Sequence, residues 1–275
     1  HGVHLYSLTL WFGSQVQIAT NESWHEELKM KSGNPALNEK TFTKSFISDA
    51  AGRMTMKGTV LKTGVLTALV AASAGYTWHL YAAAGASAVT VYMLGGIFGG
   101  LVAAIVTIVK PQWAMVTAPV YAVLEGLALG GISASFAQQY GPIPMQAVGL
   151  TFGTLLAMLF AYTSGLIRAT EKFKLGVVAA TGAVAVYYLI AMLLQTFGHM
   201  QVPMIWDTGW LGMGFSAFVV ILAAFNLILD FDFIEGGVNR GAPKYMEWYG
   251  AFGLMVTLIW LYMEVLRMLS KARSR

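Results

Sequence analysis

The chain has 275 residues, of which 57% are hydrophobic and 11% charged, and its mean hydropathy is +0.63. That balance excludes an ordinary soluble domain and points to a membrane protein. The absence of cysteine excludes a disulfide framework and a thiolate metal site. The net charge of +4 gathers at the ends of apolar runs, which fits anionic headgroups, and no aromatic-interleaved basic stripe points to nucleic acid.

Residues 1–56 are polar and mixed in charge, and Lys29, Lys31, Lys40, Lys44, Arg53 and Lys57 all precede the first long apolar run. Basic residues in this position predict a cytoplasmic tail. The stretch "LYSLTLWFG" is too short for a signal peptide and has no basic flank before it. Met30 opens "MKSGNPALNEKTF", which reads as a natural start, so residues 1–29 are expected to be a cloning or gene-model extension. The sequon at Asn21 is read as accidental in a cytoplasmic tail.

A helix crossing about 30 Å of hydrocarbon needs about 20 apolar residues. Seven stretches qualify, at roughly 59–81, 84–109, 113–138, 143–167, 175–197, 209–234 and 247–270, which predicts an all-α, seven-span bundle over 57–270 and a basic tail at 271–275. Arg168, Lys172 and Lys174 place the fourth connection in the cytoplasm, and Lys110 does so weakly for the second. The third and fifth connections carry no Lys or Arg, so a cytoplasmic amino terminus satisfies all four. The sixth connection, with Arg240 and Lys244, then falls inside and the last span exits outward. That leaves Arg267, Lys271, Arg273 and Arg275 outside, against the positive-inside bias. A re-entrant last segment is the alternative, but its length favours a full crossing.

Glycines spaced by four, Gly95 with Gly99, Gly96 with Gly100, Gly126 with Gly130 and Gly149 with Gly153, predict close helix packing rather than phosphate loops.

Four carboxylates fall within or at the edge of the apolar spans: Glu125, Asp230, Asp232 and Glu264. A charge at the centre of a span costs about 2.5–3.5 kcal/mol on insertion scales, so such groups face the bundle interior and serve a path or a relay. Glu125 lies about 18 Å along the third span, where a structural glutamate bonded to a backbone carbonyl and a member of an ion path remain alternatives. Glu264 is embedded one turn from Arg267, and an i,i+3 pair would partly neutralise it. Asp230 lies at a helix carboxyl end, the unfavourable pole of the macrodipole, so capping does not account for it. Asp232 is expected to be an ordinary interfacial charge. Lys62 either snorkels to the cytoplasmic interface or pairs with Asp230, and snorkelling is the preferred reading. His79 and His199 are expected to cap or face water at the outer ends. No HExxH cluster is present and no serine or threonine is followed by a convincing base, so the chain is not expected to be an enzyme.

The segments "YAVLEGLALGGIS", "NLILDFDFI" and "WLYMEVLRML", together with "SGNPALNEKTF" and "MTMKGTVLKTGVLTALVAASAGYTW", resemble the transmembrane Bax inhibitor motif family, in particular its bacterial YccA-like branch. The resemblance covers residues 32–270. It implies six helices around a central carboxyl-terminal one, and a pH-sensitive calcium leak of the bacterial inner membrane gated by two acids, which map by similarity onto Asp230 and Glu264. Where the family usually reads "LYLD" this chain reads "LYME", so a glutamate with a longer arm stands at the second position. Two carboxylates forced together in low dielectric do not both ionise, so the pair would titrate as a unit. Protonated, it would pin the sixth helix to the seventh; deprotonated, it would offer oxygens for weak, transient Ca²⁺ binding, with Glu125 as a further contact. The loop "EGGVNRGAPKYMEW" also reads as long, which would lay residues 243–250 on the membrane surface. The resemblance also implies a second role, regulation of a membrane-anchored quality-control protease through the tail 30–56. No resident cofactor is expected.

Overall fold

The computed structural model describes residues 52–198 and 207–274. The tail with its expected extension, His199 and Arg275 lie outside them. Seven helices follow in order: α1 (Met56–Ala84), α2 (Ala86–Val109), α3 (Ala114–Tyr140), α4 (Ile143–Thr163), α5 (Glu171–Gly198), α6 (Trp210–Asn239) and α7 (Met246–Arg273). All seven contain a span long and apolar enough to cross a membrane. The chain is an all-α membrane bundle.

The ends are set by local chemistry. Thr55 caps α1, its side chain accepting the Gly58 N–H at 3.0 Å. Gly85 and Gly141, both at positive φ, terminate α1 and α3 and so allow the tight far-side connections. Proline in the first turn of α4 costs no helical hydrogen bond there. At one junction the structure departs from the sequence reading. α6 runs on to Asn239 and α7 begins at Met246, and Met246, Glu247, Tyr249 and Gly250 are buried in the bundle rather than laid on the membrane surface. The reason is Glu247, which sits in the first turn of α7, where the helix dipole favours an acid, and is drawn inward by a basic partner on α1.

α7 is the hub, packing against α1, α3, α4 and α6. Leu227 and Ile228 of α6, Leu258 and Leu261 of α7, and Ile143 and Ala147 of α4 form its main core. Tyr121 of α3 meets Phe252 of α7 edge to face, with centroids 5.0 Å apart. The other strong layer is α3 packed between α1 and α2. A Cβ on Gly126 would lie 2.5 Å from the Val70 carbonyl oxygen, one on Gly130 2.2 Å from that of Ala74, and one on Gly96 2.4 Å from that of Leu124. These small residues bring the backbones together as expected. Gly149 and Gly153 do not: nothing lies within 4 Å of either, so that pair is not a packing groove among the described residues.

Large apolar side chains such as Leu61, Phe98, Leu156, Phe160 and Phe197 are exposed around the bundle. In a bilayer this is the surface that lipid tails cover. The polar side chains collect inside or at two ends: a near end, where α1 and α7 begin, and a far end, where α3 and α7 finish.

Candidate functional site

The interior acids lie on α6 and α7, the two most closely apposed helices around the hub. Asp230 and Glu264 are both buried, at 0% and 1% exposure. Glu264 takes its partners from α5 and from its own helix. Tyr188 of α5 donates its hydroxyl to the Glu264 carboxylate, 3.1 Å from either oxygen. Arg267, three residues along α7, places Nη1 2.8 Å from Oε1 and 2.9 Å from Oε2. The same Nη1 donates to the Tyr188 hydroxyl at 2.7 Å, and the guanidinium lies 5.1 Å from the centroid of the Tyr188 ring. Arg267, Tyr188 and Glu264 thus form a closed triangle in which a buried negative charge is matched by a cation and a neutral donor.

This corrects one expectation and bears out another. The i,i+3 pair of Glu264 with Arg267 is present. The hydrogen bond that Glu264 was expected to share with Asp230 is replaced by those to Arg267 and Tyr188. A cation one turn away on the same helix reaches the carboxylate without rearrangement, and so satisfies it first.

Asp230 sits one turn beyond Asn226 on α6, and Asn226 is itself a polar group inside the span. The Asn226 amide donates to Thr181 Oγ1 of α5 and to the Leu222 carbonyl, both at 2.9 Å. α5 is therefore tied to α6 through Asn226–Thr181 and to α7 through the Glu264 triangle.

The remaining acids disperse. Glu125 is half-buried against α2, where a Cβ on Gly100 would lie 2.8 Å from its Oε1. Asp232 is 27% exposed and pairs with Lys174 at 2.7 Å, which makes it an interfacial ion pair rather than a lone solvated charge. Lys62 neither snorkels alone nor pairs with Asp230; its partner is Glu247, which is completely buried. A lysine in the second turn of α1 faces the first turn of α7, and the shorter path to a carboxylate is across that contact. His79 is exposed.

At the far end Lys271 is buried, its ammonium donating to the Gly212 carbonyl at 3.0 Å and Ser216 Oγ at 2.9 Å at the start of α6. Two of the basic residues that strain the positive-inside rule, Arg267 and Lys271, are therefore internal structural partners, which weakens them as orienting charges. Among the described residues no three of His, Cys, Asp and Glu gather as a metal-binding cluster. A cation at Glu264 would have to displace Arg267 or find oxygens elsewhere.

A family model described as Bax inhibitor 1 like matches residues 34–274, all seven helices included. The chain belongs to the Bax inhibitor 1 like family. No curated protein and no solved structure matches it significantly. Within this Bax inhibitor 1 like chain, Tyr188, Asn226, Glu247 and Lys271 are among the polar groups whose interior roles the sequence did not reveal. Tyr188 stands beside Tyr187 in an apolar run, and Lys271 in a basic tail, so neither stood out; Asn226 was the legible one, an amide one turn before Asp230.

Proposed function

We propose that this Bax inhibitor 1 like chain is a pH-sensitive Ca²⁺ leak channel of a bacterial inner membrane, oriented with its amino terminus in the cytoplasm and gated by Asp230 and Glu264. One observation carries the reading: two acids wholly enclosed in adjacent, packed spans. Ionisable groups are costly there and mark a path or a relay. Ca²⁺, as the passing ion, takes six to eight oxygens, more than two side chains supply, so contact with these acids is transient and completed by water and carbonyls. Arg267 acts as a tethered cation on Glu264, and conduction requires the guanidinium to yield. Protons compete with Ca²⁺ for the same oxygens, so flux rises as the medium goes from acid to neutral. In this reading the chain is not an enzyme and holds no resident cofactor.

The test is Ca²⁺ flux into liposomes carrying the full chain, from pH 5 to pH 8, for the wild type and for Asp230→Asn with Glu264→Gln. Flux that rises with pH, with the pH dependence abolished in the double variant, supports the channel. Absent flux, or a pH dependence the double variant leaves unchanged, removes it and turns attention to a regulatory contact with a membrane-anchored protease through the tail 30–56.

A further inference from the structure

The far end of the bundle holds a polar cavity to which the leak reading gives no role, although one wall residue, Arg267, belongs to both. Its volume is about 300 Å³, and it lies between the last turn of α3 and the last turns of α7, with Tyr140, Thr208, Arg267, Ser270, Lys271 and Ser274 in its wall. Among the described residues no aspartate or glutamate lines it. That size is at the lower end of small-ligand sites, which run from about 300 to 1,000 Å³, and suits a compact head group.

Arg267 is only half engaged. Its hydrogen bonds to Tyr188 and Glu264 all leave from Nη1. The other face of the guanidinium, Nη2 with Nε, has no hydrogen-bond partner among the described residues. That face is a planar fork, and its two parallel N–H groups match two oxygens of a phosphate. Lys271 brings a second positive charge to the same wall. Among the described residues three cations group at this end, Arg267, Lys271 and Arg273, against two acids, Glu264 and Asp207, which leaves one positive charge in excess. Both acids are already engaged, Glu264 by Arg267 and Tyr188, and Asp207 by the Gly209 N–H at 2.9 Å. Tyr140 also stands in the wall, and a phenol there can supply a neutral donor.

We propose that this cavity binds a phosphate group, with Nη2 and Nε of Arg267 as its principal ligands and Lys271 and Tyr140 beside it. The phosphate is either that of a lipid headgroup, since the cavity lies where α7 ends, or a free ion. The site is read by binding alone, so it stands or falls separately from the leak.

The experiment uses the full chain in detergent and follows its thermal midpoint in two titrations. One adds inorganic phosphate against chloride at equal ionic strength. The other adds dihexanoyl phosphatidylglycerol against phosphate-free dihexanoylglycerol. A saturable rise with the lipid alone assigns a headgroup; a rise with both assigns the phosphate itself. Arg267→Gln should raise the half-saturating concentration roughly tenfold or more, and Tyr140→Phe, which leaves the Glu264 triangle whole, roughly fivefold. If Arg267→Gln does not fold, Tyr140→Phe decides. No saturable rise with either probe overturns the proposal, and so does a half-saturation unchanged in every variant that folds.

Discussion

Glu247 of α7 and Lys62 of α1 form an ion pair that fastens the beginnings of the first and last helices to each other. The Thr55 N–H and hydroxyl donate to the same carboxylate at 2.9 and 2.8 Å. Gly58 leaves room for it, since a Cβ there would lie 2.2 Å from Oε1. The Met54 N–H donates to the Ala242 carbonyl at 2.6 Å, and the Lys244 N–H to that of Gly52 at 2.7 Å. One glutamate thus joins the entry to the first span and the connection before the last.

Glu247→Gln is expected to destabilise the chain by about 2–4 kcal/mol, below the full penalty for a buried pair because Lys62 is 17% exposed and reaches water. Lys62→Met on top of it should cost far less than the sum of the single changes. Unfolding in mixed detergent for the four proteins of the cycle measures the coupling; additive losses would show that the pair contributes nothing of its own.

The glycine stripes should separate cleanly under substitution. Gly130→Ala forces a methyl against the Ala74 carbonyl of α1 and should cost about 1–3 kcal/mol. Gly149→Ala meets open space and should be neutral or slightly stabilising. Thermal midpoints of the two variants provide the comparison, and equal losses would contradict the packing of α1 on α3.

The architecture was legible because spans are written in composition. Each predicted stretch meets an observed helix within a few residues, except where polar residues extend α5 to Glu171 and α6 to Asn239, since the hydrophobic run ends before the helix does. The burial of Asp230 and Glu264 was legible for the same reason. Partners were not. Lys62 and Glu247 are 185 residues apart, and nothing local to either says that α1 and α7 begin side by side. Glycine spacing was likewise ambiguous: it shows that a face is small, as at Gly126 and at Gly149, without showing that another helix is opposite.

Orientation is testable because the chain carries no cysteine. Single cysteines at Ser164 and Asn239 mark the near end, and at Ala84 and Gln139 the far end; all four positions are exposed. In intact cells a membrane-impermeant maleimide should label Ala84→Cys and Gln139→Cys, and spare Ser164→Cys and Asn239→Cys until the membrane is opened. The reverse pattern would place the amino terminus outside and would make Arg267 and Lys271 cytoplasmic.

Tyr188→Phe tests whether the Glu264 triangle is a latch or a brace. The substitution keeps the ring beneath the guanidinium and removes only the hydroxyl that touches both Arg267 and Glu264. Losing a hydrogen bond to a charged group should cost about 1.5–3 kcal/mol of stability in detergent. If Arg267 is the tethered cation that Ca²⁺ must replace, the same change weakens its hold, and flux at pH 7 should rise while the direction of the pH dependence stays the same. Arg267→Gln is the harsher companion, because it leaves a buried carboxylate without its cation and should cost about 3–5 kcal/mol. A Tyr188→Phe protein that is less stable yet conducts as the wild type does would identify the triangle as a structural brace, and the gate would then have to be sought at Asp230.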